Sequence, residues 1–173
     1  MIEKIDFTIL NLIQNLRCDI ADNIFSFITH LGDMGIIWIA IGVTLLFFKK
    51  YRKCGVMMLV SLLVCAILTS GVIKPLVGRV RPFQIAQITP YITPPGGFSF
   101  PSGHTSSSFT AAFSLFLVHK KEGIAAFVLA TLIAFSRLYF YVHFPTDVLV
   151  GAILGILCAF LVNKLLSKSL KML

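Results

Sequence analysis

The chain has 173 residues, of which 57% are hydrophobic and only 13% are charged, against about 25% charged in soluble globular proteins. Together with a mean hydropathy of +0.92, this composition excludes intrinsic disorder and an ordinary water-soluble globule. The net charge of +8 does not indicate nucleic acid binding, because the basic residues interrupt apolar runs and form no continuous stripe. The composition therefore predicts an integral membrane protein.

Residues 1–33 have apolar residues at helical spacing, but charged residues interrupt them at Asp6, Arg17, Asp19 and Asp22. No charge-free stretch in this region is long enough to cross a bilayer. We therefore expect two amphipathic helices that lie along the membrane interface. A sixth, broken span in this region is the alternative.

Five apolar stretches in residues 34–173 approach the roughly 20 residues that a helix needs to cross a bilayer. They are Gly35–Phe48, Gly55–Ile73, Thr105–Val118, Gly123–Ser136 and Val148–Val162. Flanking Lys, Tyr and His side chains that reach the interface extend the shorter ones. The sequence thus predicts an all-α membrane bundle with five transmembrane helices. Residues 1–173 are expected to form one domain, with the amphipathic region at 1–33 and the transmembrane core at 34–173.

Basic residues in three short segments define one face of this bundle. They are Lys49, Lys50, Arg52 and Lys53, then Lys120 and Lys121, then Lys164, Lys168 and Lys171. The five-span count places all three clusters on one side, which the positive-inside rule makes cytoplasmic. Five of the seven acidic residues lie in residues 1–33, on the opposite side.

The outer face collects most of the remaining ionisable residues. They are Lys74, Arg79, Arg81, His104, Arg137, His143 and Asp147, with Ser102 beside them. Placing an ionisable residue in a membrane costs free energy, so such residues usually have a function. Lys74 and Arg81 are seven residues apart, so they share one helical face if the helix continues between them. The segment from Pro101 to His104 opens the third span, and a helix N-terminus is a site for anions.

These residues predict an anion cradle, that is, a binding site for a multiply charged oxyanion, and phosphate is the favoured oxyanion. Asp147 lies four residues after His143, close enough to accept its ring N–H and fix the tautomer. Two histidines in such a cradle indicate acid–base or nucleophilic chemistry. Asp147 is the only acid expected near the site, so no carboxylate cluster for Mg²⁺ or Ca²⁺ is predicted. We expect metal-independent chemistry with no cofactor.

Three motifs in this region resemble the signature of the type 2 phosphatidic acid phosphatase (PAP2) family. The first, Lys, six residues, then Arg-Pro, is KPLVGRVRP from Lys74 to Pro82. The second, Pro-Ser-Gly-His, is Pro101 to His104, and the third is SRLYFYVHFPTD from Ser136 to Asp147. Their order and spacing fit the family, and the surrounding spans match its layout.

The resemblance implies a role for each matching residue. His143 is expected to be the nucleophile that forms a phosphohistidine, Asp147 to orient it, and His104 to be the general acid that later activates water. The residues expected to bind phosphate are Lys74, Arg81, Ser102, the Gly103 amide and Arg137.

Three polar residues have no support from the motifs. Arg79 is expected to be either a solvated loop charge or a contact to a second phosphate or headgroup. His30 and His119 are expected to be interfacial side chains.

The resemblance further implies a lipid phosphatase of the cell (inner) membrane, with its active site on the extracytoplasmic face. The expected partners are the bilayer and a lipid phosphate or diphosphate, with no nucleic acid. Undecaprenyl diphosphate is the favoured substrate, and phosphatidylglycerol phosphate, phosphatidic acid and the 1-phosphate of lipid A are alternatives. A vanadium haloperoxidase is disfavoured by the spans. A lipid phosphotransferase and a non-enzymatic lipid transporter remain further alternatives.

Overall fold

The computed structural model describes residues 2–169, which form helices joined by turns and loops, with no strand in that range. The helices are α1 (Ile2–Gln14), α2 (Asp19–Leu31), α3 (Ile36–Leu46), α4 (Arg52–Ala66), α5 (Lys74–Val77), α6 (Pro82–Ile85), α7 (Gly103–Val118), α8 (Lys120–Tyr139) and α9 (Pro145–Ser169). A 3-10 turn at Asp33–Gly35 precedes α3, and a π-helical segment at Ile67–Ile73 joins α4 to α5.

Helix α7 occupies the centre of the bundle and packs against α4, α8 and α9. Small and hydroxyl-bearing residues along α7 allow these helices to approach closely. Two of the buried hydroxyl groups are satisfied within the helix: Thr110 Oγ1 donates to the Ser106 carbonyl at 2.7 Å, and Ser114 Oγ donates to the Thr110 carbonyl at 2.8 Å. The polar sequence of α7 is therefore compatible with a buried position.

Helix α3 is held against this centre by its tryptophan. The Trp38 indole is buried, and its Nε1–H donates to Ser108 Oγ of α7 at 2.9 Å. A Cβ atom at Gly55 of α4 would lie 2.7 Å from the Gly42 carbonyl of α3. The two glycines thus let α3 and α4 meet backbone to backbone.

The all-α membrane fold is confirmed, whereas the count of five spans stays a prediction. Within residues 2–169, three helical segments are long and apolar enough to cross a bilayer: Arg52–Ile85, Lys120–Tyr139 and Pro145–Leu166. Helix α7 has 16 residues and α3 has 11, both short of the usual length. A fourth candidate arises only if α2 and the segment Asp33–Leu46, which meet at 41°, are taken as one span.

The two helices predicted in residues 1–33 are present as α1 and α2, and both contact one end of the bundle. Tyr139, at the end of α8, donates from its hydroxyl to Asp22 near the start of α2, at 2.7 Å. Near the end of α2, Thr29 Oγ1 accepts a hydrogen bond from Arg137 at 2.5 Å. Because both ends of α2 contact the end of α8, α2 lies across that end of the bundle.

The basic clusters lie at the other end. The turn before α4 and the turn between α7 and α8 meet there, where the Tyr51 and His119 rings are 4.4 Å apart. Helices α4 and α8 run from these turns toward the end that α1 and α2 cover. In the third basic cluster, Lys171 lies outside the described residues, as does the side chain of Lys168.

The contact between α7 and α9 gives a test of this packing. A Cβ atom at Gly155 of α9 would overlap the Ser106 carbonyl oxygen and lie 3.0 Å from the Thr110 nitrogen. We expect Gly155→Ala to lower the free energy of unfolding by about 1–3 kcal/mol through overpacking. Thermal unfolding in detergent measures this loss. Gly71→Ala is the matched control, because a Cβ atom there meets nothing within 4 Å, and equal stability of the two variants would contradict the packing.

Candidate active site

A cavity of about 380 Å³ opens at the end of the bundle that α1 and α2 cover. Most of the residues predicted for the site line it: Lys74, Arg81, Gly103, His104, Arg137 and His143. They come from α5, the segment after it, the start of α7, the end of α8 and the turn before α9. The cavity therefore brings together three cations and two histidines from five parts of the chain.

Lys74 and Arg81 line this cavity, but they do not share one helical face as the sequence analysis considered. The helix does not continue between them: α5 ends at Val77, and Gly78 takes a left-handed conformation with φ 60°. Pro75 lacks an N–H and its ring crowds the carbonyl four residues earlier, consistent with the widened π-helical segment that precedes it. Lys74 and Arg81 line one cavity because the chain turns back at Gly78.

Arg81 is fixed by the loop that precedes α7. Its Nε donates to the Gly97 carbonyl at 3.0 Å, and its Nη2 donates to the Gly96 carbonyl at 2.9 Å. Lys74 Nζ donates to the Phe98 carbonyl of the same loop at 2.6 Å. Both cations are thus held in place by backbone carbonyl groups, which leave their charge unneutralised.

His143 and Asp147 form the pair that their spacing predicts. The His143 Nδ1 lies 3.5 Å from Asp147 Oδ2, and both side chains are buried. The other ring nitrogen, Nε2, lies 3.1 Å from Arg81 Nη1. Because a guanidinium can only donate, Nε2 is the accepting nitrogen and Nδ1 carries the proton. The nucleophilic lone pair of this tautomer is on Nε2.

Burial lowers the pKa of His143 well below its usual value, because desolvation disfavours the imidazolium. Asp147 opposes this shift, while Arg81 and Arg137 reinforce it. His143 is therefore a neutral imidazole at neutral pH, which is the form that can act as a nucleophile.

The Pro-Ser-Gly-His motif opens α7 as predicted, but its residues divide between two roles. Ser102 is the N-cap of α7, and its buried Oγ accepts hydrogen bonds from the Thr105 amide and hydroxyl at 3.4 and 2.9 Å. It does not line the cavity in the described structure, whereas Gly103 and His104 do. Ser102 thus fixes the helix terminus that presents the other two.

Arg137 is nearly completely buried, with 2% of its surface exposed. Its Nη1 donates to Thr29, but its Nε has no hydrogen-bond partner within residues 2–169. A buried guanidinium with an unused donor is costly unless an anion pairs with it. An anion bound in the cavity that Arg137 lines would thus stabilise this buried cation.

Comparison with known proteins places this geometry in a family. The sequence pattern of the PAP2 superfamily matches residues 54–171. The chain belongs to the PAP2 superfamily. It is 36% identical over 127 residues to an undecaprenyl-diphosphatase from Sulfolobus acidocaldarius, a match that covers 72% of this chain and 61% of that relative. The chain thus spans about three fifths of that relative's length.

Two crystal structures share the PAP2 fold of this chain. A transmembrane PAP2-type phosphatidylglycerolphosphate phosphatase from Bacillus subtilis superposes with a TM-score of 0.78 at 32% identity, covering 96% of this chain and 86% of that one. LpxE from Aquifex aeolicus superposes with a TM-score of 0.81 at 28% identity, covering 92% and 95%. These likenesses extend to the N-terminal region that the family pattern does not include.

Arg79, which lies between the residues of the first PAP2 motif, has a role that the sequence analysis did not predict. Its Nη1 donates to Asp147 Oδ1 at 2.6 Å, and its Nη2 donates to Asp6 Oδ2 of α1 at 2.7 Å. Its guanidinium also lies over the Phe144 ring, 3.9 Å from the centroid. It does not line the cavity. The expectation of a solvated loop charge is therefore wrong, because Arg79 pairs with two buried carboxylates. The expected contact to a second phosphate or headgroup stays a prediction.

The expectation that Asp147 is the only acid near the site is also wrong. Asp33, in the 3-10 turn before α3, places Oδ1 2.9 Å from His104 Nε2. It reaches His104 because α2 crosses the end of the bundle and places this turn beside the start of α7. The sequence analysis could not place Asp33 there without this tertiary arrangement.

Further site residues lie outside the PAP2 motifs. Ser99 is buried, and its Oγ donates to Asp147 Oδ2 at 2.5 Å while lying 3.4 Å from His143 Nδ1. Asp6 accepts from Arg79 and from the amide and hydroxyl of Thr146. The only sequence signal for Asp6 was a carboxylate within an apolar helical repeat.

Within residues 2–169, no group of three or more His, Cys, Asp or Glu side chains could hold a metal ion.

The ion pair of Asp6 with Arg79 predicts a stability difference within α1. Asp6 is 1% exposed, so Asp6→Ala leaves Nη2 of Arg79 and the amide of Thr146 without their acceptor. We expect a loss of about 2–3 kcal/mol in the free energy of unfolding, less than for a fully buried pair because Arg79 is partly exposed. Thermal unfolding in detergent tests this, with Glu3→Ala, an exposed acid of the same helix, as the control. An equal effect of both substitutions would rule out the buried network.

Proposed function

We propose that this protein is a membrane phosphatase that removes a phosphate from a lipid phosphate or diphosphate through a phosphohistidine intermediate. The observation that carries the proposal is the tautomer of His143. Its accepting Nε2 lies 3.1 Å from an arginine that lines an anion cradle, while the other nitrogen faces Asp147. A neutral, oriented imidazole beside a set of cations is the arrangement that attack on phosphorus requires.

The proposed reaction uses the cavity residues in two steps. Lys74, Arg81 and Arg137, with the amide of Gly103, bind the phosphate oxygens and stabilise the charge that develops on them. The Nε2 lone pair of His143 forms a bond to phosphorus, the bond from phosphorus to the leaving oxygen breaks, and His104 protonates that oxygen. Water then gives a proton to His104 and attacks phosphorus, which releases inorganic phosphate and restores His143.

A second cavity supports a lipid as the substrate. It has a volume of about 280 Å³, lies between α3 and α4, and shares Met34, Gly35, Leu62, Ala66 and Ser107 with the first cavity. The rest of its lining is aliphatic: Ile39, Leu59 and Leu63. An amphiphile with its phosphate in the cradle can extend its chain into this space without exposing it to water.

Undecaprenyl diphosphate is the substrate that we favour. The likeness to the undecaprenyl-diphosphatase of Sulfolobus acidocaldarius supports it. The likeness to the phosphatidylglycerolphosphate phosphatase of Bacillus subtilis supports phosphatidylglycerol phosphate as the second candidate. Both lipids present a terminal phosphate at the membrane surface, which is the group that the cradle would bind.

We expect the purified protein to release inorganic phosphate from undecaprenyl diphosphate in detergent containing EDTA, because the cradle uses side-chain cations in place of a metal. His143→Ala should abolish turnover. Asp147→Asn should reduce kcat by about 100-fold or more with a small change in KM, because it removes the group that fixes the tautomer. A malachite green assay of phosphate release measures each rate.

The same assay on phosphatidylglycerol phosphate, phosphatidic acid and lipid A separates the candidate substrates. Full activity of His143→Ala on the preferred lipid would overturn the phosphohistidine mechanism. Transfer of the phosphate to a second lipid, without release, would favour a phosphotransferase. Movement of lipid without either reaction would favour a transporter.

We further propose that the site faces the extracytoplasmic side of the cell membrane, because the clusters at Lys49–Lys53 and Lys120–Lys121 lie at the opposite end. Cys18, at the start of α2, is exposed, whereas Cys54, Cys65 and Cys158 are buried. A membrane-impermeant maleimide added to intact cells should therefore label this protein at Cys18 alone. Cys18→Ser should remove the label, and labelling that requires permeabilised cells would reverse the orientation.

A further inference from the structure

His104 is contacted from outside the cavity by an acid that belongs to none of the PAP2 motifs. Its Nε2 lies 2.9 Å from Asp33 Oδ1, and the second Asp33 oxygen lies 2.8 Å from His30 Nδ1. The His104 Nδ1 forms no hydrogen bond with any described residue. His104 lines the cavity, whereas Asp33 does not.

The turn that carries Asp33 is shaped to fit His104. A Cβ atom at Gly32 would lie 2.8 Å from Cδ2 of the His104 ring, so only glycine lets the backbone approach the edge that bears Nε2. Met34 and Gly35 follow with φ of 51° and 69°, and the tight turn they make places Gly35 against Ser107 of α7. The backbone of the turn is therefore packed against α7 on both sides of Asp33.

We propose that Asp33 is a positioning residue that orients His104 and stabilises its protonated form, so that His104 can act as the acid. The inference rests on the phosphatase function proposed above. Asp33 and His104 thus form a second histidine–carboxylate pair beside that of His143 and Asp147. His30 fixes the second oxygen of the Asp33 carboxylate.

The charges around His104 explain why such a partner is needed. Lys74, Arg81 and Arg137 line the same cavity and repel an imidazolium at His104. Within the described residues, Asp33 is the acid that contacts His104, since Asp147 is engaged by Arg79, Ser99 and His143. A carboxylate at hydrogen-bond distance offsets part of this repulsion and holds the Nε2–H.

The pairing specifies which proton moves. In the imidazolium, Nε2–H donates to Asp33 and Nδ1–H is the remaining donor. As His143 Nε2 bonds to phosphorus and the bond to the leaving oxygen breaks, the electron pair stays on that oxygen, which takes the Nδ1 proton. In the second step the free Nδ1 accepts a proton from the water that attacks phosphorus. Asp33 keeps the Nε2 proton in place during both steps.

Asp33→Asn tests this role with two probes that differ in their leaving groups. Dispersed phosphatidic acid releases an alkoxide that must be protonated, whereas p-nitrophenyl phosphate releases a phenolate that is stable without a proton. We expect kcat for phosphatidic acid to fall about 10- to 100-fold with little change in KM, and kcat for p-nitrophenyl phosphate to fall by less than about 3-fold. Asp19→Asn, an exposed acid of the same N-terminal region, should match the wild type on both probes.

Inhibition by vanadate reports whether the anion cradle remains intact in the variant. Unchanged vanadate inhibition together with the selective loss on phosphatidic acid would support the positioning role. An equal loss on both probes, or lost vanadate inhibition, would mean that Asp33 serves the fold alone and would overturn the inference. A wild-type protein that released phosphate neither from these probes nor from undecaprenyl diphosphate and phosphatidylglycerol phosphate would overturn the phosphatase proposal itself.

Discussion

The carboxylate of Asp147 ties together the segments that make the site. It is fully buried and contacts His143 in the turn before α9, Arg79 in the segment after α5, Ser99 in the loop before α7 and the amide of Phe144. A buried carboxylate is stable only when its oxygens are paired and hydrogen-bonded. These contacts therefore bring the first and third PAP2 motifs together with the loop that precedes the second, and the cavity is formed by the same arrangement.

An excess of positive charge makes that cavity suited to an anion. Lys74 and Arg81 are held by neutral carbonyl groups, and Arg137 retains a buried donor without a partner in residues 2–169. Removing cations from water without compensating charge costs free energy, and a phosphate group would offset that cost. This offset is a physical basis for the recognition of phosphate proposed above.

The N-terminal helices are part of this site, although they precede the region that the family pattern matches. Asp6 of α1 pairs with Arg79, Thr29 of α2 accepts from Arg137, and Asp33 contacts His104. Each contact engages a charged or titratable group of the motif region. The division into an amphipathic region at 1–33 and a core at 34–173 follows the sequence pattern. These hydrogen bonds connect the two regions.

The membrane class, the helical fold and the residues of the three motifs could be predicted from the sequence, because composition, apolar length and motif spacing are local properties of the chain. The pairing of His143 with Asp147 could be predicted as well, since residues four apart at the start of a helix are near one another. The helix cap at Ser102, the pairing of Arg79 with two carboxylates and the contact of Asp33 with His104 became known from the folded structure. Asp33 and His104 are 71 residues apart, and no periodicity relates them. Such contacts depend on how α2 crosses the end of the bundle, which is set by packing between helices.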